Sequence, residues 1–131
     1  MKAGFGGVIV YVPDAAAAAA FYERAFGFER KFVSDDKEYC QMQGEVPLGF
    51  VQEDYAQKSL PEFVRNESGA RPAGFEILVV NKDVDAAFKR AVDAGATPVV
   101  QPHDMPWGQR VSYVRDLNGV LVEICAPWTV P

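Results

Sequence analysis

Apolar residues recur along this chain with two periods, and each period predicts an element. Alanines 15–20 open a run in which Ala18, Phe21, Tyr22, Ala25 and Phe26 fall at i, i+3, i+4, i+7 and i+8, the spacing of one helical face. Asp14 stands before this run to accept hydrogen bonds from the free N–H groups of its first turn, and Gly27 follows as a left-handed cap. Val84, Ala87, Phe88, Ala91 and Val92 repeat the spacing, with Asp83 as cap and Gly95 as stop. Short β-rich runs surround each helix. One precedes it (5–12 and 75–80), and three follow it: 28–33, 38–43 and 48–52 in the first half, 97–100, 110–115 and 120–125 in the second.

The halves overlay with an offset of about seventy residues, as in an internal duplication. Phe21 falls on Phe88, Gly27 on Gly95, Tyr39 on Tyr113 and Gly44 on Gly119. The organisation expected is one domain over residues 1–131, with a first module at 1–53, a joint at 54–72 and a second module at 73–131. The joint is rich in Pro, Ser, Gly and charge and is longer than an ordinary loop. It is either a linker with a short helical turn or a lid.

Composition narrows the classes of function. A chain of 131 residues that is 49% hydrophobic is long enough for one sizeable core without disulfides. A net charge of -5, with thirteen Lys and Arg scattered among eighteen Asp and Glu, leaves no basic stripe for nucleic acid. The apolar run before Pro13 is too short for a signal-peptide core or a membrane span, so a soluble cytoplasmic protein is expected. Cys40 and Cys125 lie in strand-like runs without metal or redox spacing, which suits buried free thiols. No P-loop, GxGxxG after a strand or Ser-His-Asp arrangement supports nucleotide binding or nucleophilic hydrolysis.

Several stretches carry a family likeness: Val12-Pro13-Asp14 with Phe21-Tyr22 and Gly27-Phe28, then Asp83-Val84-Asp85-Ala86-Ala87 through Gly95-Ala96, and finally Arg115-Asp116-Leu117-Asn118-Gly119 leading to Val122-Glu123-Ile124. In order and spacing the whole chain resembles the vicinal-oxygen-chelate superfamily of glyoxalases, bleomycin-resistance proteins and extradiol dioxygenases. Leu117 stands where the family's last turn usually has proline. The resemblance implies an α+β fold of two βαβββ modules whose curled mixed sheets form a cup, a homodimer, and up to four metal ligands on the cup floor. The corresponding positions here are Gly7 and Gly49, which carry no donor, and Glu76 and Glu123, which do.

Glu76 lies between Phe75 and Ile77, and Glu123 between Val122 and Ile124, so each carboxylate in an apolar run needs a reason. By strand alternation Glu76 shares a face with Leu78 and Val80, and Glu123 one with Leu121 and Cys125, so either both point into the cup as an acidic pair with catalytic or ligand-recognising roles, or Glu76 meets water at a strand end and Glu123 bonds a neighbour. A divalent metal would use both glutamates with a third ligand from Cys125 or Gln52, a ligand from a second subunit, or waters around a hard ion. No cofactor is the expectation. Trp107 beside Gly108 suits a cup mouth or a core edge, and Gln109, Ser112 and Cys125 are the further candidates for ligand contact. A four-residue turn at 116–119 would set Ser112 opposite Glu123. His103, the only histidine, reads as a solvated loop residue. The function expected is binding of a small organic molecule without a complete metal site; the alternatives are a metal-dependent lyase or isomerase of the glyoxalase type and, more distantly, a dioxygenase.

Overall fold

A computed structural model describes residues 1–128, so the last three residues of the expected second module lie outside the described residues. The described chain forms two compact units, Met1–Glu23 with Gly27–Arg65, and Arg24–Phe26 with the residues from Asn66 onward.

The first unit runs β1 (Val8–Val12), α1 (Ala15–Phe26, whose last turn belongs to the other unit), β2 (Arg30–Val33), β3 (Tyr39–Met42), β4 (Leu48–Gln52) and α2 (Glu53–Gln57). Its mixed sheet has the order β1-β4-β3-β2, with β1 parallel to β4 and the other pairs antiparallel. The Asp14 side chain accepts from the N–H of Ala17, and Gly27 ends α1 at φ 73, a left-handed value that costs glycine nothing. Ala18, Phe21, Tyr22 and Ala25 are buried as the spacing requires, and the Tyr22 ring lies 5.0 Å from that of Phe50 on β4. The segment after α2 folds back on this unit. Phe63 packs 4.9 Å from Tyr11, and Arg65 pairs with Glu53 and Asp54 at 3.0 and 2.8 Å.

The second unit runs β5 (Glu76–Val80), α3 (Val84–Asp93), β6 (Thr97–Asp104), β7 (Arg110–Arg115) and β8 (Leu121–Cys125). Its sheet repeats the first, in the order β5-β8-β7-β6 with β5 parallel to β8. Val84, Phe88 and Ala91 of α3 are buried over β6, β7 and β8, and the Asp83 side chain caps the helix at the N–H of Ala86. Strand β6 is longer than its apolar run, so His103 lies on an exposed edge strand and not in a loop. That edge holds Pro98 and Pro102 and shifts register on either side of Val100. The fold is α+β, two four-stranded mixed sheets with helices.

The last turn corrects the expected hairpin register. Arg115 pairs with Leu121, leaving five residues between the strands, so Tyr113 and not Ser112 stands opposite Glu123. One added residue moves every side chain to the other face. Ser112 is fully buried and donates from Oγ to the carbonyl of Ile124 at 3.1 Å, so it is a core residue and not a ligand contact. The turn's φ > 0 position is Gly119 alone, at 85°, while the Asp116 carboxylate accepts from the N–H groups of Asn118 and Val120. Ser112→Ala is expected to cost about 1 kcal/mol in urea unfolding, the net worth of one neutral hydrogen bond. A loss near zero would show that the Ile124 carbonyl does not depend on that hydroxyl.

Candidate functional site

Alternation on two neighbouring strands builds the site. Ile77 and Val79 of β5 are buried, whereas Glu76, Leu78 and Val80 face the other way, Leu78 and Val80 each 57% exposed. On β8, Val122 and Ile124 are fully buried, and Leu121 and Glu123 share the open face. Leu78 pairs with Glu123 and Glu76 with Leu121, so the two carboxylates stand diagonally on one face. From β7, directly opposite, the Tyr113 hydroxyl donates to Glu123 Oε1 at 2.8 Å.

Leu78, Val80, Glu123 and Cys125 floor a cavity of about 620 Å³, with Trp107, Gln109, Ala126 and Trp128 at its sides. Among the described residues Glu123 is the one charged residue lining it. Trp107 sits in a turn closed by Gly108, at φ 91, whose N–H reaches the Met105 carbonyl at 2.8 Å. Its indole N–H donates to Gln109 Oε1 at 3.0 Å, and Gln109 Nε2 donates to the Ala126 carbonyl at 2.9 Å. One amide thus ties the tryptophan turn to the exit of β8.

Proton affinities follow this packing. Burial, and then the neighbouring Glu123, hold the Glu76 carboxyl above the usual range. Burial and the bond to Glu123 push the Tyr113 phenol up to about 12, and burial with the same carboxylate pushes the Cys125 thiol up to about 11. Cys125 is therefore a neutral thiol near neutral pH.

Of the residues singled out in the sequence, Glu123, Cys125, Trp107 and Gln109 line this cavity, with Glu76 beside Glu123. His103 does not line it; its Nδ1 lies 3.0 Å from the Gln101 carbonyl. Tyr113 and Trp128 were missed, while Leu78 and Val80 share the face of Glu76 as strand alternation requires. Only a correct loop length would have pointed to Tyr113.

In the first unit the matching positions are filled. Gly7 lies seven residues before Asp14 and Glu76 seven before Asp83, and the parallel ladders then set Gly49 where Glu123 stands. Gln41 pairs with Gly49, so Gln41 and not Tyr39 overlays Tyr113. A Cβ on Gly49 would lie 2.9 Å from the Tyr39 ring, and one on Gly7 2.6 Å from the Pro47 carbonyl oxygen. The Tyr39 hydroxyl donates to Gln41 Oε1 at 2.7 Å, beside a smaller cavity of about 340 Å³. Gln52 accepts from the N–H of Ala15 and is engaged at the start of α1.

Among the described residues no group of three His, Cys, Asp or Glu is placed to hold a metal ion. Two carboxylates, one of them already accepting from Tyr113, fall short of the three protein ligands that a catalytic zinc takes. No helix among the described residues is long and apolar enough to cross a membrane.

Comparisons with known proteins agree with this architecture. A family model described as the glyoxalase/bleomycin resistance protein/dioxygenase superfamily matches residues 4–124. A glyoxalase-related enzyme from Fulvimarina pelagi is 20% identical, with a TM-score of 0.82 over 99% of this chain and 94% of its own. TioX from Micromonospora sp. ML1 is 26% identical with a TM-score of 0.70, covering 95% of this chain and 98% of its own. A glyoxalase/bleomycin resistance protein/dioxygenase family enzyme from Burkholderia phytofirmans PsJN is 20% identical with a TM-score of 0.74, over 95% and 98%. No curated protein matches.

Two outcomes follow from the site. A carboxyl whose folded pKa is raised disfavours the native state once pH rises past its unfolded value, near 4.5 for Glu76. Glu76→Gln is therefore expected to raise Tm near neutral pH, with the gain vanishing in acid; a gain that persists in acid would dissociate it from ionisation. Gly49→Ala should cost roughly 1–3 kcal/mol through overpacking and far less in a Tyr39→Ala background. Additive costs in that cycle would mean the ring does not fill the site.

Proposed function

The chain belongs to the glyoxalase/bleomycin resistance protein/dioxygenase superfamily, and we propose that it holds a small organic molecule in the second unit's cavity without a metal ion. The observation that carries this is the lining itself: apolar and aromatic walls around a single carboxylate, at a volume of about 620 Å³ that suits a small organic ligand. Trp107, 59% exposed, offers its ring to a bound molecule. Glu123, oriented by Tyr113, is the polar anchor, and Glu76 beside it is the group that can carry a proton. The homodimer that the resemblance implies, and the cytoplasmic location expected from the short apolar run before Pro13, belong to the same reading. Buried, free Cys40 and Cys125 support a reducing compartment.

The rival is a metal-dependent lyase or isomerase of the glyoxalase type. Elemental analysis of protein purified without added metal or chelator, with a thermal-shift panel of small molecules run with and without EDTA, separates the two. The expected result is no stoichiometric metal, stabilising compounds whose effect survives EDTA, and loss of most of that stabilisation in Trp107→Ala. Near-stoichiometric metal, lost in Glu76→Ala and Glu123→Ala, would replace this reading with the enzyme.

A further inference from the structure

We propose that the cavity takes a flat organic cation, a planar ring system bearing a protonated nitrogen, with its face against an indole and its N–H groups on Glu123. This rests on the pocket reading above and adds the chemical class of the ligand.

A hydrogen-bond inventory of the walls decides the polarity. The Trp107 N–H is spent on Gln109 Oε1, and one of the two Gln109 Nε2 hydrogens is spent on the Ala126 carbonyl. The Tyr113 hydrogen is spent on Glu123 Oε1. What Glu123 and Tyr113 leave for a guest is acceptor capacity, the remaining carboxylate lone pairs and a lone pair of the Tyr113 hydroxyl, beside one Gln109 N–H. A guest that brings acceptors would leave them facing acceptors, a costly arrangement away from water. A guest that brings charged N–H donors satisfies them.

Charge agrees. Among the described residues no Lys or Arg lines the cavity and Glu123 is the one carboxylic acid that does, and the chain as a whole carries -5. The remaining walls set the shape. Leu78 and Val80 form an apolar floor, and Trp107 and Trp128, each 59% exposed, present aromatic faces that attract a cation as well as a ring.

Isothermal titration of the full chain, with tryptophan fluorescence as a second readout, tests this with three probes. These are proflavine as planar cation, anthracene-9-carboxylate as planar anion and tetraethylammonium as a cation without a ring. Proflavine is expected to bind with quenching, at least about tenfold tighter than either other probe, and to lose about tenfold in the isosteric Glu123→Gln and in Trp107→Ala. Equal binding of the two planar probes, or no loss in Glu123→Gln, overturns the cation; the pocket still stands if Trp107→Ala weakens both. Tetraethylammonium binding as tightly as proflavine overturns the flat ring. Probe binding untouched by either substitution lies elsewhere and overturns both the class and the pocket. Silence of all three probes overturns the class, and the thermal-shift panel then decides the pocket.

Discussion

Everything distinctive about the second sheet turns on one carboxylate in the middle of its inner strand. Glu123 lies between two fully buried residues, Val122 and Ile124, so the strand cannot rotate to release it without exposing the core. A charge held there has to be met by a partner or by a guest. Tyr113 meets one oxygen from the neighbouring strand. Glu76, Tyr113 and Cys125 all hold their protons more tightly because of burial beside that carboxylate. The cluster is thus a single unit in which burial first, and then the Glu123 carboxylate, suppress the ionisation of its neighbours.

The first sheet solves the matching problem by deletion. Glycine takes the place of each acid, and the vacated volume at Gly49 is taken up by the Tyr39 ring, which bonds to Gln41. Two sheets of the same strand order therefore carry different chemistry: neutral and amide-lined in the first, anionic and aromatic-walled in the second. The difference lies in a few side chains on a shared scaffold, which is how one fold supports many activities.

Most of this architecture was legible in the sequence because helix period, caps and β-rich runs are local signals. Both N-caps act as their side chains suggested, and the helical stripes face inward. The acidic residues were legible too, since a Glu flanked by Val and Ile is conspicuous. What was not legible depended on counting across a turn. Asp116 binds two N–H groups and holds Val120 inside the loop, and that single residue exchanged Ser112 for Tyr113 as the neighbour of Glu123. Trp128 was hidden for another reason: it stands beyond the last strand, where no alternation assigns a side chain to a face, whereas Glu76 marks the face that Leu78 and Val80 share.

The outer strand of the second sheet bears on how such a surface survives in solution. An eight-residue edge strand with exposed Val99 and Val100 would ordinarily invite a foreign strand to add to it. Pro98 and Pro102 remove two N–H donors from that edge, and the register shifts around Val100 bend what is left. The border is thereby a poor template for cross-β growth, and a chain with exposed tryptophans and valines avoids polymerising through its own margin.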